Sequence, residues 1–180
     1  MRIELYQIEG PWPGRFAITP RPRGGEWLED EARLWRQAGL ETIVSLLTPD
    51  EVAEFDLSRE EALCQSYGIR FVSFPVPDRG TPRSGEEFLN LVGELLRALN
   101  EGKSVAAHCR QSVGRSALLA ACLLVASGEE TERAFRQIGE ARGCAVPDTE
   151  EQKKWVKELA LELSTQSKKG LQPDALVHPA

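Results

Sequence analysis

Apolar positions along this chain fall into two alternating patterns. Thr42-Ile-Val-Ser-Leu-Leu47, Arg70 to Pro75 and the stretch opening at Ser104 are short runs with few polar interruptions, the pattern of strands covered on both faces. Between them lie longer segments whose apolar residues recur at helical spacing: Glu26 to Ala38, Ser84 to Asn100, Glu130 to Ala141 and Asp148 to about Leu163. Ser116 to Ala126 is predicted as a helix, with Cys122 in an apolar run that suits core packing. Helix boundaries carry their own marks. Gly39 and Gly143 stop two helices, and Thr48-Pro-Asp-Glu51 has the capping-box pattern with proline in the first turn. Ser58-Arg-Glu-Glu61 and Asp148-Thr-Glu-Glu151 are predicted to open helices in the same way. Arg2 to Ile8 and Arg15 to Ile18 read as edge strands joined by the turn Gly10-Pro-Trp-Pro-Gly14.

Strands alternating with helices predict an α/β fold, a central and mostly parallel sheet with helices on both faces. Nothing marks an internal linker or repeat, so residues 1–163 are predicted to form one domain. Residues 164–180 are polar and rich in small side chains, and read as a flexible tail.

Composition narrows the function. With 180 residues, 41% of them hydrophobic, the chain has enough apolar material for a sizeable core. A net charge of −6 argues against nucleic acid or an anionic membrane as partner. The N-terminus does not resemble a signal peptide and no apolar run reaches membrane-spanning length; a cysteine kept as a thiol predicts a reducing, cytoplasmic compartment. Four cysteines without C-x-x-C pairing, and only His108 and His178, give no metal-ligand spacing; no cofactor is expected.

The chemistry concentrates in Ser104-Val-Ala-Ala-His108-Cys109-Arg110-Gln111-Ser112-Val113-Gly114-Arg115-Ser116. This is a strand, a small polar loop and a helix start, the order that aims backbone N–H groups and a helix N-terminus at an anion. The same field favours a reactive thiolate at Cys109. An anion seat with a nucleophile beneath it points to phosphate-ester cleavage through a phosphocysteine. Cys64 to Arg70 repeats the cysteine–arginine spacing but runs from helix to strand, so it is read as coincidence. Gly114 is expected where the backbone turns sharply before the arginine.

His108-Cys109-x5-Arg115-Ser116 resembles the signature of cysteine-dependent tyrosine and dual-specificity protein phosphatases. Tyr67 to Pro82, Ser45 to Glu51 and Ala120 to Leu124 are similar to segments of the branch that contains the kinase-associated phosphatase, so the resemblance covers roughly residues 26–163. It implies a protein tyrosine phosphatase-like fold and a monomeric enzyme acting on phosphorylated proteins or peptides. Cys109 would be the nucleophile, and the loop from Arg110 through Gln111, Ser112, Val113 and Gly114 the phosphate cradle. Arg115 would clamp two phosphate oxygens with a planar fork that lysine lacks. Ser116 would donate to the sulfur, and His108 would be a buried orienting histidine bonded to backbone. Asp78, in a Pro- and Gly-bounded loop after a strand, would be the general acid. Gln152 lies where this branch often has a water-positioning glutamine.

Each assignment has a plainer alternative: a surface salt bridge for Arg115, a helix-start serine at Ser116, a turn aspartate at Asp78, a surface residue at Gln152. Asp50 and Asp148 are competing acids, set aside because both are expected at helix caps. The substrate is less defined. Arg79, Arg83 and Arg110 suggest a positive mouth suited to phosphopeptides. A phosphoinositide or other small-molecule phosphatase is the alternative; the absence of lysine within positions 110–114 weakens phosphoinositide and inositol phosphate as substrates without excluding them. A phosphate-binding module without turnover, and a sulfur-transfer or arsenate-reducing enzyme, are the readings from other classes. Arsenate reduction would want a resolving cysteine, for which Cys64, Cys122 and Cys144 are not obviously placed, and an oxidation bond between Cys64 and Cys109 would need the helix end at Cys64 to abut the loop.

Overall fold

A computed structural model describes residues 3–169, with side chains through Leu163. Five strands form one sheet in the order β1-β2-β5-β3-β4: β1 (Tyr6–Ile8), β2 (Arg15–Thr19), β3 (Thr42–Ser45), β4 (Arg70–Ser73) and β5 (Ser104–His108). Only the β1–β2 pair is antiparallel; β2–β5, β5–β3 and β3–β4 are parallel. The expected α/β architecture is therefore present, with two changes in strand position. β2 is interior, between β1 and β5, because its register runs from Arg15 opposite Ser104 to Thr19 opposite His108. β4 is an edge, and its exposed or half-buried side chains reflect the missing neighbour.

Alternation along each inner strand separates two cores. Phe16, Ile18, Val44, Val105 and Ala107 pack against α4 (Gly85–Asn100), α5 (Arg115–Ala126), α6 (Thr131–Arg142) and α7 (Glu150–Lys169). Ala17, Ile43 and Ala106 face the other way, onto α1 (Leu28–Gln37) and α3 (Glu60–Ser66). The short α2 (Pro49–Glu54) follows β3. α5 is buried almost throughout, in keeping with its all-round apolar sequence.

The caps test the boundary signals one by one. Thr48 and Glu51 form a complete capping box on α2, and Ser84 caps α4 by accepting from the amide of Glu87. The box expected at Ser58 does not form: Arg59 occupies the cap of α3 without a side-chain bond. At α7 the capping hydroxyl belongs to Thr149, which accepts from the amide of Gln152 at 3.2 Å, so Asp148 is not the cap. α7 itself continues to Lys169, past the expected end near Leu163, and the remainder of the expected tail lies outside the described residues. None of the described helices is long and apolar enough to cross a membrane.

Candidate active site

Register places the reactive loop. β5 is central, and its last residue, His108, is paired with Thr19 on one side and Ser45 on the other. The chain leaving the carboxyl end of β5 must therefore emerge between the ends of β2 and β3, where open α/β sheets usually hold ligands. Period-two alternation then separates His108 from Cys109. His108 points toward α1 and α3, where its Nε2 lies 2.7 Å from Oε1 of buried Glu60 and its ring stacks on Trp35. A backbone partner was expected for this histidine; it has a carboxylate instead. Cys109 turns to the opposite side and lines a cavity of about 270 Å³, together with Asp78, Arg79, Arg110, Arg115, Asp148 and the loop residues Gln111, Val113 and Gly114.

The loop is shaped for an anion. None of the amides of residues 110–114 meets an acceptor among the described residues. Buried N–H groups are nearly always paired, so a run of unpaired amides around one small cavity marks a cradle for a negatively charged ligand. Ser112 has the positive φ of the loop, at 53°, and its buried hydroxyl has no partner. Gly114, by contrast, has φ −94°, which any residue adopts. Its need for glycine is spatial: a Cβ there would lie 2.9 Å from Cβ of Asp148 and 3.0 Å from Nε2 of Gln152. From outside, Arg142 of α6 donates to the carbonyl of Gln111 at 3.1 Å and braces the loop.

Arg115 is the first residue of α5 and is 2% exposed, far from the surface pair that was its alternative. Its Nη1 and Nη2 meet the two carboxylate oxygens of Glu51 at 2.6 and 2.8 Å. Nη1 also reaches the carbonyls of Leu46 and Val76, and Nη2 donates to Oδ1 of Asp78 at 3.0 Å. Nε has no protein acceptor among the described residues. Burial alone would push this guanidinium down; the Glu51 hydrogen bonds and the charges of Cys109, Glu51 and Asp78 outweigh it and hold its pKa above the ordinary value. Burial likewise opposes ionisation of Glu51, but Arg115 and the Thr48 backbone amide bring its pKa below the ordinary range. Both partners are thus held charged.

Glu51, like the Glu60 partner of His108, is a residue that sequence reasoning missed. It was read only as half of a capping box, and its carboxylate does accept from the amide and hydroxyl of Thr48 at 3.0 and 3.2 Å. The same two oxygens orient the arginine. The available signal was topological: α2 follows β3, and β3 neighbours β5, so a helix after β3 arrives beside the loop after β5.

The loop bearing Asp78 is strapped to the start of α7. Gln152, with no exposed surface, donates from Nε2 to the carbonyl of Gly80 at 2.9 Å, and Thr149 donates to the carbonyl of Arg79 at 3.4 Å. Arg79 sits at φ 57°, a strained value for a side-chain-bearing residue, and pairs with Asp148 at 3.7 Å. Gln152 therefore touches both loops, with its amide against Gly114 and Oε1 unpaired. Asp148 lines the cavity as a second carboxylate, since Thr149 has taken the capping role. Ser116, which follows Arg115 at the start of α5, is fully buried, and its hydroxyl has no partner among the described residues. Arg79 and Arg110 line the mouth but each meets a carboxylate, whereas Arg83 is exposed and is not part of the lining.

The other cysteines separate cleanly. Cys64 lies in the core on the far side of the sheet, which rules out the contact with Cys109 that an intramolecular sulfur exchange would need. Burial, reinforced by Glu60 and Glu61, pushes its thiol up to about 12, and burial raises Cys122 further. Cys144 is exposed in the segment before α7.

A mostly parallel sheet with a cysteine and a buried arginine bracketing an unpaired ring of amides defines the cysteine-phosphatase class of phosphate site. Comparison with known proteins agrees. Residues 19–129 match the family model described as "Polymorphic toxin system, DSP-PTPase phosphatase", and the chain belongs to this family. The rat cyclin-dependent kinase inhibitor 3 is 28% identical over 126 residues, covering 69% of this chain and 59% of that protein. The chain thus spans about 59% of the length of that relative. A shorter match, 39% identical over 57 residues, covers 30% of this chain and 24% of a putative tyrosine phosphatase of invertebrate iridescent virus 3. Among solved structures, kinase-associated phosphatase superposes with a TM-score of 0.82 at 20% identity, covering 91% of this chain and 97% of that one. Tk-PTP in its active form gives 0.68 at 28% identity, covering 82% and 92%.

Proposed function

We propose that this protein hydrolyses phosphate monoesters on protein tyrosine, serine or threonine side chains through a phosphocysteine intermediate. The observation that carries the reading is the ring of unpaired amides with Cys109 at its start and Arg115 at its end. Amides 110–114 bind the equatorial phosphoryl oxygens, and Arg115 adds Nε together with the Nη2 donor now held by Asp78. Asp78 gives up that donor when phosphate enters. The fork geometry and the charge are supplied in advance by Glu51, so little reorganisation is needed as charge spreads over the phosphoryl oxygens.

The steps balance without a cofactor. Sγ of Cys109 attacks phosphorus in line, the ester P–O bond breaks, and Asp78 delivers a proton to the leaving oxygen. Water then attacks the phosphocysteine; the S–P bond breaks, Asp78 takes the proton from water, and inorganic phosphate departs. Ser116 is the donor to the departing sulfur, for which its unpaired hydroxyl is available. His108, fixed by Glu60 and Trp35, holds the strand end that presents Cys109. Gln152 acts by holding the acid loop over the cradle rather than by aligning water.

The kinase-associated phosphatase is named for its association with a kinase; for this chain a phosphoprotein substrate, a cytoplasmic site of action and a monomeric state are part of the proposal. The test is release of inorganic phosphate from an aryl phosphate and from a phosphopeptide panel, with and without EDTA. Turnover that survives chelation and disappears in Cys109→Ser, but persists in Cys64→Ser, supports the reading. Equal loss in both variants, or turnover that requires a metal, overturns it.

A further inference from the structure

Beyond the cavity lining, next to Arg110, lies a second positive feature that the phosphate seat does not use. β2 ends at Thr19 opposite His108, so the chain that follows runs alongside the start of the reactive loop. Two residues on, the guanidinium carbon of Arg21 lies 3.9 Å from the ring centroid of Phe55. Arg110, which follows Cys109 and lines the cavity, lies 4.8 Å from the centroid of the same ring. One aromatic side chain therefore holds two arginines, of which Arg110 lines the cavity.

Their charges are not equally answered. Arg110 meets Glu54 at 2.6 Å and Asp78 at 4.0 Å. Arg21 donates only to the carbonyl of Pro22 at 3.2 Å, and among the described residues no carboxylate lies within ion-pair distance of it. On a protein with a net charge of −6, this is a local cation without an internal counter-charge. Stacking on a ring leaves the N–H edge of a guanidinium turned outward, the edge that binds a carboxylate or phosphate.

The platform is rigid and tied to the catalytic arginine. Phe55 is the residue after α2, and its amide donates to the carbonyl of Glu51, the residue that holds Arg115. Its carbonyl faces Gly24 so closely that a Cβ there would sit 1.8 Å away, and the amide of Gly25 donates to the carbonyl of Asp56 at 3.0 Å. The segment carrying Arg21 is thus clamped to the end of α2, beside the phosphate cradle.

The geometry points to a second anion-binding position at Arg21 and Arg110, backed by Phe55, that takes an acidic group flanking the phosphorylated residue of a peptide. The group is a carboxylate side chain or a second phosphoryl, which present the same oxygen chemistry to a guanidinium. This rests on the phosphatase reading above and specifies its substrate: acidic or multiply phosphorylated segments.

Three peptides with one phosphotyrosine each test it: one with neutral flanks, one with glutamates beside the phosphotyrosine, and one with a phosphoserine there. On the wild-type protein, kcat/KM for at least one anionic peptide should exceed that of the neutral peptide by about fivefold at low salt, through KM, and the advantage should shrink as salt rises. Which anionic peptide gains distinguishes carboxylate from phosphoryl. In Arg21→Gln the advantage should fall to about onefold. Affinities of the same peptides for Cys109→Ser, which needs no turnover, keep the two proposals separable. No hydrolysis of any peptide sinks the phosphatase reading, while equal affinity and equal kcat/KM for all three sink the second position alone. An advantage that persists in Arg21→Gln overturns it as well.

Discussion

Replacing Glu51 by glutamine removes one charge and leaves almost every atom in place, so it isolates what the carboxylate does for Arg115. The wild-type pair has two short bonds, 2.6 and 2.8 Å, between groups that are 8% and 2% exposed. Removing one partner of a buried ion pair typically costs about 3–5 kcal/mol because the other charge is left uncompensated. Glutamine keeps one acceptor oxygen but turns an NH₂ donor toward a guanidinium nitrogen, so the lower end, about 3 kcal/mol, is expected. For a domain of this size that corresponds to a fall in Tm of roughly 6–12 °C. Catalysis should suffer separately: an arginine free to rotate loses the fork alignment, and kcat should fall at least about tenfold, below the loss of roughly 10²–10³ seen when an oxyanion donor is removed outright.

The pH dependence sharpens this test. The folded-state pKa of Glu51 is lowered from the ordinary 4.5, so its contribution to stability is present above that value and is lost as pH falls through the lower, folded-state value. The stability gap between wild type and Glu51→Gln should therefore be full near neutrality and narrow below about pH 4.5. Thermal unfolding followed by circular dichroism, with kcat on an aryl phosphate at each pH, measures both effects. A variant whose Tm stays within about 2 °C of wild type and whose kcat stays within about twofold would refute the claim that Glu51 orients Arg115.

Two further outcomes are expected from the acid loop. Asp78→Asn should slow hydrolysis of alkyl or tyrosyl phosphates by about a hundred- to ten-thousand-fold and that of an activated aryl phosphate less, with the basic limb of the kcat/KM profile flattened; if Asp148→Asn gives this leaving-group dependence instead, the acid is Asp148. Gln152→Ala removes the 2.9 Å bond to Gly80 and should mimic a weaker form of the Asp78 defect, a several-fold loss on poor leaving groups with little change on good ones. Equal loss on both kinds of leaving group would assign Gln152 to the cradle rather than to the acid loop.

What could be read from the chain beforehand follows from the range of the interactions involved. The strand–loop–helix around Cys109 is contiguous, so the cradle, the arginine and the flanking serine were legible together. Asp78 was legible because a Pro- and Gly-bounded loop directly after a strand leaves few places for it to go. Glu51 and Glu60 were not, because their roles depend on which strands are neighbours: α2 and α3 reach Arg115 and His108 across gaps of 64 and 48 residues. The position of β4 was misjudged for a related reason, since an apolar run such as Arg70 to Pro75 does not state how many neighbours it has. Asp148 was set aside on a capping rule that Thr149, one residue later, satisfies instead. Gly114 was expected where the backbone turns before the arginine; what the sequence did not show is that it also makes room for Asp148 and Gln152, while the positive φ falls at Ser112.

The central claim is that Cys109 carries the phosphoryl group. Asp78→Asn, mixed with an activated aryl phosphate and quenched in alkaline denaturant within the first turnovers, slows water attack more than phosphorylation and lets the intermediate build up. Mass spectrometry of the digested protein should then show one added phosphoryl group on the peptide containing Cys109, stable to alkali and hydroxylamine, released by iodine, which cleaves an S–P bond, and absent from the peptide containing Cys64. Phosphoryl label on any other residue, or phosphate release in a burst with none on Cys109, would contradict the account.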